Sequence, residues 1–294
     1  ADALGVRVIR SPHARARFAI GDLGELRDRF PTLVLVLTAR DVPSNGYGIY
    51  PDVKDQPVLA DGEVRFRGDP VLALVGPRAD VAAIPDDAIP IRWYVDEPVI
   101  GIDAAMRDGA PRVQAAKPGN VLVEGRVRRG DVDTAFAGCA AIAEGTFETR
   151  CVEHAYLEPE AGWARRVGDR LELFATTQTP YMDRDEIALI LKLAPSQVRV
   201  VPTACGGGFG GKLDLSVQPL IALAAWRLER PVALVWSRTE SMMASTKRHP
   251  SRIHARIGAD ADGRLQAVEV DALFDTGAYA SWGPTVANRV PIHA

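Results

Sequence analysis

The sequence predicts an α+β fold, and three features of the chain support this prediction. Short runs rich in β-forming residues, such as VRVIR at 6–10, alternate with turn signals through the first third. A helical run, IALILKL at 187–193, follows a strand-like run in the second half. Near the end, two alternating apolar runs are joined by GADADGR at 258–264, which predicts a β-hairpin. With 294 residues, 47% of them hydrophobic, the chain can bury a sizeable core and is long enough for two domains.

The first predicted domain covers residues 1–112 and is a small α+β unit. Its predicted strands lie in VRVIR, in TLVLVLTA at 32–39 and in EVRFRGDPVLALV at 63–75. Its predicted helices are GELRDRF at 24–30 and RADVAAI at 78–84. Pro85 is expected to end the second helix early. Residues 113–145 are predicted to connect the domains, because Arg107–Leu122 is rich in turn formers and poor in apolar periodicity.

The second predicted domain covers residues 146–294. Its predicted strands lie in AAIAEGTFETR at 140–150, RLELFATTQ at 170–178, VRVVP at 198–202 and PVALVWSR at 231–238. Asp183 is predicted to cap the helix that follows the second of these, with Glu186 three residues on. SVQPLIALAAWRLER at 216–230 is predicted to be a helix, with Pro219 in its first turn. In the final hairpin, alternation places two apolar sets each on one strand face: Ile253, Ala255 and Ile257, and Val268, Val270, Ala272 and Phe274.

Charge and hydropathy make two classes of partner unexpected. The net charge is −3 and the arginines are scattered, so no basic field for nucleic acid is expected. No apolar stretch approaches the roughly 20 residues that a membrane span needs, and the N-terminus lacks the apolar core of a signal peptide. We therefore expect a cytoplasmic protein with no membrane span. The chain does not begin with Met, and we expect its true start to be missing or to lie on another segment.

The three cysteines, Cys139, Cys151 and Cys205, are odd in number and far apart in the sequence. This pattern suits a reducing compartment and predicts neither a disulfide framework nor a C-x-x-C metal site. An iron–sulfur cluster cannot be built from this chain alone. Cys139 and Cys151 are expected to be small buried apolar residues, whereas Cys205 lies beside a glycine-rich segment and is left open.

That segment, TACGGGFGGKLD at 203–214, overlaps two nucleotide-binding patterns. From Gly206 it reads G-x-x-x-x-G-K, but a triphosphate loop needs Ser or Thr after the lysine to bind magnesium, and Leu213 stands there. It also reads G-x-G-x-x-G, but the strand after it ends in Ser237 and Arg238 instead of the acidic residue that binds a ribose. Both nucleotide alternatives are therefore disfavoured.

Two interpretations of the glycines remain, a plain tight turn and a ligand-binding loop. Glycine permits a tight turn for conformational reasons alone. A row of glycines also leaves backbone N–H groups bare, and bare donors suit an anionic, oxygen-rich ligand held very close.

Several motifs resemble, in order, segments of the molybdopterin-binding large subunit of the xanthine dehydrogenase and aldehyde oxidase family. They are EHAYLEPEAGWA, TTQTPYMDRDEIA, GGGFGGK, SRTESMMASTKRHP and DTGAYAS. At the front, RSPHARARF, VLTARDVP and DQPVLADGEVRFRGDPVLALV resemble that family's hammerhead-type N-terminal domain. The resemblance covers nearly the whole chain and is closest to the bacterial branch that hydroxylates nicotinate-like N-heterocycles. It implies a hammerhead-type domain followed by a truncated first molybdopterin-binding domain.

The resemblance also implies a site. A molybdenum atom with oxo, sulfido and hydroxide ligands is held on a pterin dithiolene, and no side chain ligates the metal. Gln178 matches the glutamine whose amide donates a hydrogen bond to the apical oxo group. The cofactor-binding positions are Gly206, Gly207, Gly208, Phe209, Gly210 and Gly211. Phe209 and Leu213 are the substrate-proximal positions.

Two departures from the family pattern qualify this resemblance. Purine-oxidising members carry an acidic residue where this chain has Leu213, so an aldehyde or a different N-heterocycle is the expected substrate. The family's catalytic glutamate lies in a later domain, so a C-terminal molybdopterin segment or subunit is an expected partner. The cofactor is expected as molybdopterin, in its plain or cytosine dinucleotide form, with 2Fe-2S and FAD on partner chains.

Glu153, His154 and Glu158 suggest an acid–base or metal constellation, but the matching family segment is chiefly structural. We therefore expect buried, hydrogen-bonded roles for His154 and Glu158 and leave both outside the catalytic set. The rival function for the chain is a non-catalytic assembly or binding module that keeps the fold.

Overall fold

The computed structural model describes residues 3–293, which form two compact units. One unit comprises the chain up to Pro98 together with Glu153–Thr246. The other comprises Val99–Val152 and the chain from Lys247 on. Each unit is therefore built from two stretches that are separated in the sequence. The domain boundaries at 112 and 146 stay predictions.

The elements follow one another in chain order. The strands are β1 (Leu4–Arg10), β2 (Ala16–Ile20), β3 (Leu35–Leu37), β4 (Glu63–Val64), β5 (Pro70–Gly76), β6 (Ile91–Val95), β7 (Ala141–Thr149), β8 (Ala161–Val167), β9 (Arg170–Ala175), β10 (Val198–Pro202), β11 (Val232–Val235), β12 (Ser251–Ala259) and β13 (Leu265–Phe274). The helices are α1 (Leu23–Arg29), α2 (Arg78–Ala83), α3 (Ile102–Met106), α4 (Val132–Ala137), α5 (Pro180–Leu191), α6 (Gln218–Leu228), α7 (Arg238–Ala244) and α8 (Gly283–His293).

A seven-stranded mixed sheet organises the first unit, in the order β10-β9-β8-β11-β1-β5-β3. β5 is an almost unbroken apolar run that is buried on both faces, which suits its interior place in the sheet. β9 and β10 are parallel neighbours at one edge of the sheet, and β1 and β11 are also parallel. The helices α5 and α6 pack beside this part of the sheet, α5 against β10 and α6 against β8, β9 and β11. A small second sheet, β4-β2-β6, completes the unit.

The predicted helices α1 and α2 are confirmed, and α2 ends before Pro85 as expected. The predicted strand across 63–75 is interrupted between β4 and β5. The cause is Asp69, which is buried and accepts a hydrogen bond from the backbone N–H of Arg65 (2.9 Å), so the intervening residues form a turn.

The prediction that Asp183 caps α5 is wrong. α5 begins a turn earlier, because Pro180 occupies its first position and Thr179 is the cap residue. Asp183 therefore lies inside the first turn with its side chain buried. Glu186 does not face back to a cap but pairs with Lys54 and accepts a hydrogen bond from the N–H of Gly48. α6 confirms the prediction, with Pro219 in its first turn.

The second unit contains the antiparallel sheet β13-β12-β7, which has two unlike faces. The register places the apolar sets of the hairpin on one face, as predicted, opposite residues of β7. This apolar sheet face consists of Ala143, Phe147, Ile253, Ala255, Ile257, Val268, Val270, Ala272 and Phe274. It is open to solvent, with Phe147 62% and Val268 49% exposed. The other face carries ion pairs such as Arg252 with Glu148.

Neither of the two cysteines that were expected to be buried is fully buried. Cys151 is exposed rather than buried, because it follows the end of β7 in an open stretch of chain. Cys139 is partly buried, and its Sγ donates to the carbonyl of Ala135 (3.3 Å). Within residues 3–293, no helix is both long enough and apolar enough to cross a membrane.

Candidate functional site

The glycine loop, Cys205–Lys212, lies beside Gln178 for a topological reason. β9 and β10 are adjacent and parallel, so both strands end at the same edge of the sheet. Gln178 comes three residues after Ala175, where β9 ends, and Gly206 comes four residues after Pro202, where β10 ends. The carboxyl ends of parallel strands are the usual place for ligand sites in α/β sheets.

Backbone groups of the loop fix the side-chain amide of Gln178. Its Oε1 accepts hydrogen bonds from the N–H of Gly210 (3.0 Å) and of Lys212 (3.3 Å). Its own backbone N–H donates to the carbonyl of Lys212 (3.0 Å). Because both side-chain partners are donors, the atom that meets them must be Oε1, and Nε2 is left to donate elsewhere. In the described part of the chain, no group accepts from Nε2.

Some backbone N–H groups of the loop donate hydrogen bonds within the protein, and others have no acceptor there. Gly206 donates to Oε2 of Glu158 (2.7 Å), Gly211 donates to the carbonyl of Gly208 (2.7 Å), and Gly210 donates to Gln178. The N–H groups of Gly207, Gly208 and Phe209 have no acceptor among residues 3–293. The sequence predicted backbone N–H groups without acceptors in this loop, and the loop apex has three of them at consecutive positions. The other three glycine donors hold the loop in shape.

Close approach explains why side chains are absent from most of the loop. A Cβ at Gly208 would lie 2.5 Å from Oε1 of Gln178, and one at Gly211 would lie 2.7 Å from Cε1 of Tyr156. Gly207 and Gly210 have φ values of +103° and +95°, which L-residues rarely adopt. Phe209 takes a left-handed φ of +50°, and its ring is 74% exposed at the apex. An exposed aromatic ring on a strained backbone is a functional-site feature.

Lys212 is part of the support behind the loop. The residue is 2% exposed, and its Nζ donates to the backbone carbonyl (2.9 Å) and to Oε2 (3.0 Å) of Glu158. The ammonium also lies 4.6 Å from the centroid of the Tyr156 ring. The amine is therefore engaged inside the protein and does not point toward the loop apex, unlike the lysine of a triphosphate-binding loop.

Sequence reasoning missed Tyr156 and Glu160, which lie in the motif EHAYLEPE. Both are 1% exposed, and the Tyr156 hydroxyl donates to Oε1 of Glu160. Burial, followed by the hydrogen bond and charge of Glu160, raises the pKa of Tyr156 above its ordinary value. The alternation of polar residues in this motif was a signal, but burial could be seen only in the fold.

Glu158 is hydrogen-bonded as expected, since it accepts from both Gly206 and Lys212, but its side chain is 33% exposed rather than buried. His154 differs from the expectation of a hydrogen-bonded side chain. Its ring lies beside the loop, 3.8 Å from a Cβ built at Gly210, and its buried Nδ1 has no partner in the described chain. Oε1 of Glu153 accepts from the N–H of Ala155 (3.2 Å), so it also contributes to local structure.

Leu213 follows the loop, and its carbonyl accepts from the hydroxyl of Thr179 (3.0 Å). Its side chain lines a small cleft together with Tyr47, Met182, Asp183 and Asp214. Burial raises the pKa of Asp183 to about 6, and hydrogen bonds from Thr177, Gln218 and Thr179 limit the rise. The cleft is therefore lined by a residue whose buried carboxyl group has a raised pKa.

The chain matches a family model and is similar to known dehydrogenase subunits. A family model described as "Molybdopterin cofactor-binding domain" matches residues 113–294. The "Nicotinate dehydrogenase large molybdopterin subunit" of Eubacterium barkeri is 38% identical over 294 residues, which cover 99% of this chain and 68% of that protein. A "Probable xanthine dehydrogenase" subunit of Bacillus subtilis (strain 168) is 36% identical over 261 residues, which cover 88% of this chain and 34% of that protein.

Solved structures show the same mixed α/β fold. The aldehyde oxidoreductase of Desulfovibrio gigas superposes with a TM-score of 0.90 at 25% identity and covers 98% of this chain. The quinoline 2-oxidoreductase of Pseudomonas putida 86 superposes with a TM-score of 0.84 at 29% identity and covers 95%. This chain spans 32% and 36% of those two chains. It therefore corresponds to about a third of the longer relatives.

Proposed function

We propose a function from one premise: the chain belongs to the family of molybdopterin cofactor-binding domains. In this proposal it is a subunit or part of a molybdenum hydroxylase, to which it contributes the glycine loop and Gln178. The assembled site hydroxylates an N-heterocycle or an aldehyde with water as the oxygen source. The observation that carries the proposal is the meeting of Gln178 and the loop at one sheet edge, with free donors on both.

The residues present suit the proposed cofactor. Nε2 of Gln178 and the N–H groups of Gly207, Gly208 and Phe209 are all donors, and a donor-only set suits an oxygen-rich anionic group. The described residues include no cluster of three His, Cys, Asp or Glu side chains that could hold a metal ion. We therefore propose that this chain binds the cofactor's oxygen atoms through hydrogen bonds rather than through side-chain ligation of the metal.

The mechanism assigns positioning and electrostatics to this chain. When bound, the molybdenum cofactor supplies the redox chemistry that transfers oxygen to an electron-poor carbon. Nε2 of Gln178 would donate to an oxygen of the bound cofactor, and the hydrogen bonds from Gly210 and Lys212 to Oε1 hold the amide in place for this role. The exposed Phe209 ring stacks against a flat substrate, and Leu213 adds an apolar contact.

The proposed substrate class is a nicotinate-like N-heterocycle. Relatives named for nicotinate dehydrogenase and quinoline oxidoreductase activity support a flat heteroaromatic substrate. Leu213 has no acidic group to hydrogen-bond a purine, and its apolar side chain suits a different N-heterocycle. An aldehyde is the alternative, since an aldehyde oxidoreductase shares the fold.

The proposed partners complete the site. A molybdopterin segment or subunit would carry the catalytic glutamate, and other chains would carry 2Fe-2S and FAD. The apolar sheet face of the second unit supports a partner polypeptide, because an antiparallel sheet normally covers its apolar face. We further propose molybdopterin in its plain or cytosine dinucleotide form, a hammerhead-type fold for residues 1–112, and a cytoplasmic location.

The test uses the complex purified with its partner polypeptides, as wild type and as Gln178→Glu. Glutamate keeps an acceptor oxygen for Gly210 and Lys212 but removes the Nε2 donor. We expect both proteins to contain about one molybdenum atom per complex, since the cofactor keeps its other contacts. Turnover should fall on the order of a hundredfold, or about 3 kcal/mol in the barrier.

The matched control is Gln197→Glu. Gln197 also uses both ends of its amide, accepting from Ala194 and donating to Asp169, but it lies away from the loop. Its turnover should equal that of the wild type. Molybdenum far below one atom per complex would favour the non-catalytic assembly module, and unchanged turnover in Gln178→Glu would remove Gln178 from the site.

A further inference from the structure

We propose that Lys212 is a positioning residue, whose buried ammonium holds the glycine loop and Gln178 in their binding geometry. This inference rests on the proposed function, because the binding geometry is that of the proposed cofactor site. Its first experiment, however, uses the chain without the cofactor. The side chain of Lys212 is 1% exposed. A buried ammonium is unfavourable unless it is paired and hydrogen-bonded. Here it binds the carbonyl and the carboxylate of one residue, Glu158, and lies over the Tyr156 ring.

The carboxylate of Glu158 joins the two ends of the loop. The same oxygen, Oε2, accepts from Nζ of Lys212 (3.0 Å) and from the N–H of Gly206 (2.7 Å). Lys212 is the last residue of the loop, and Gly206 is its first glycine. The ion pair therefore holds both ends at one point, and the apex between them carries the three free N–H groups.

The backbone of Lys212 also fixes Gln178. Its N–H donates to Oε1 of Gln178, and its carbonyl accepts from the N–H of Gln178. The ammonium anchors Lys212 on one side, and the backbone transmits that position to Gln178 on the other. Loss of the ammonium should release Gly206 through Glu158, and Gly210 through Gln178.

The first experiment measures amide hydrogen exchange in the cofactor-free full chain, as wild type and as Lys212→Met. Methionine keeps much of the side-chain volume and removes the charge. We expect the amides of Gly206, Gly210 and Lys212 to exchange at least about tenfold faster, while the core amides of β5 keep their protection. The control is Lys192→Met, because Lys192 is exposed at the end of α5 and makes no side-chain contact to the loop.

A second variant covers the possibility that Lys212→Met loses the fold. Glu158→Gln keeps an acceptor for Gly206 but weakens the pairing of the ammonium, and it should raise exchange at the same amides by a smaller factor. Unchanged exchange at these amides in either folded variant would overturn the positioning role.

A double-mutant cycle in the assembled enzyme tests whether Lys212 acts through Gln178. If it does, Lys212→Met combined with Gln178→Glu should be no slower than the slower single variant. Losses that multiply would contradict a role through Gln178, and ATP binding that depends on Lys212 would contradict it as well. A complex without molybdenum that shows the expected exchange pattern would overturn the proposed function and leave the positioning role intact.

Discussion

At the scale of single residues, Gly210 is constrained by its backbone conformation and, in the proposed function, by the cofactor beside it. Its φ of +95° disfavours any L-side chain, yet a Cβ there would meet no protein atom closer than 3.8 Å. The space beside it is therefore not filled by the described chain. The neighbouring N–H groups of Phe209 and Gly208 are free donors on the same apex, which is why we assign this space to the cofactor.

A prediction about Gly210 separates backbone strain from ligand contact. Gly210→Ala should destabilise the chain by about 1 kcal/mol through the strained φ alone. Gly263 in the β12–β13 turn has a similar φ of +80° and open space around it, so Gly263→Ala should cause a similar loss of stability. Only Gly210→Ala should reduce the molybdenum content of the purified complex. Equal molybdenum in both variants would contradict contact between loop and cofactor.

At the scale of elements, α5 contains a buried acid that weakens the fold near neutral pH. Pro180 starts the helix early and thereby turns Asp183 into the interior, where it accepts from Nε2 of Gln218 (3.1 Å) in α6. Its pKa of about 6 lies above the ordinary value of about 3.9 for an unfolded chain. Between these two values the folded state keeps a proton that the unfolded state has lost. The contribution of Asp183 to stability therefore falls as pH rises from about 4 to about 6 and stays constant above that.

The Asp183→Asn variant tests this window. Relative to the wild type, its free energy of unfolding should increase between about pH 4 and about pH 6 by about 3 kcal/mol, because asparagine has no charge to bury. Urea unfolding of both proteins at several pH values measures the difference. The change Asp61→Asn, at an exposed position, provides the control for the loss of a carboxylate elsewhere on the chain. A flat difference for Asp183→Asn would contradict the raised pKa.

At the scale of the whole molecule, the chain matches about a third of the longer relatives and carries an apolar sheet face that is open to solvent. The face that includes Phe147, Ile257 and Val268 is more apolar than the opposite face of the same sheet, which carries ion pairs. Apolar burial of this kind drives association, at roughly 25 cal/mol per Å² of surface. We therefore expect the proposed partner polypeptide to cover this face.

Val268→Glu should prevent that association. A carboxylate on the apolar sheet face would have to be buried without a partner when that face is covered, so the yield of assembled complex in size-exclusion chromatography should fall at least about tenfold. Ile142→Glu places the same charge on the opposite face of the same sheet, where Ile142 is 48% exposed, and should assemble normally. Assembly of Val268→Glu at the wild-type level would mean that the partner binds elsewhere.

Local sequence determined the features that depend on near neighbours. Residue spacing and turn residues predicted the helices around Leu26 and Val81 and the place of Pro219 in α6. They also predicted that the apolar residues of the β12–β13 hairpin share one face. The motifs around Gln178 and the glycine loop also identified the family, because their residue types and order are specific. The roles of individual loop residues stay predictions.

Tertiary structure alone decided which polar groups are buried and which hydrogen-bond donors stay free. Gln178 meets Lys212 across 34 residues because β9 and β10 lie side by side, and Lys212 meets Glu158 across 54 residues. No local pattern specifies such a pairing, so a lysine that resembles a phosphate ligand in the sequence is a buried support in the fold. For the same reason, the orientation of the Gln178 amide could not be predicted: it is set by two backbone N–H groups that reach it only after the sheet has formed.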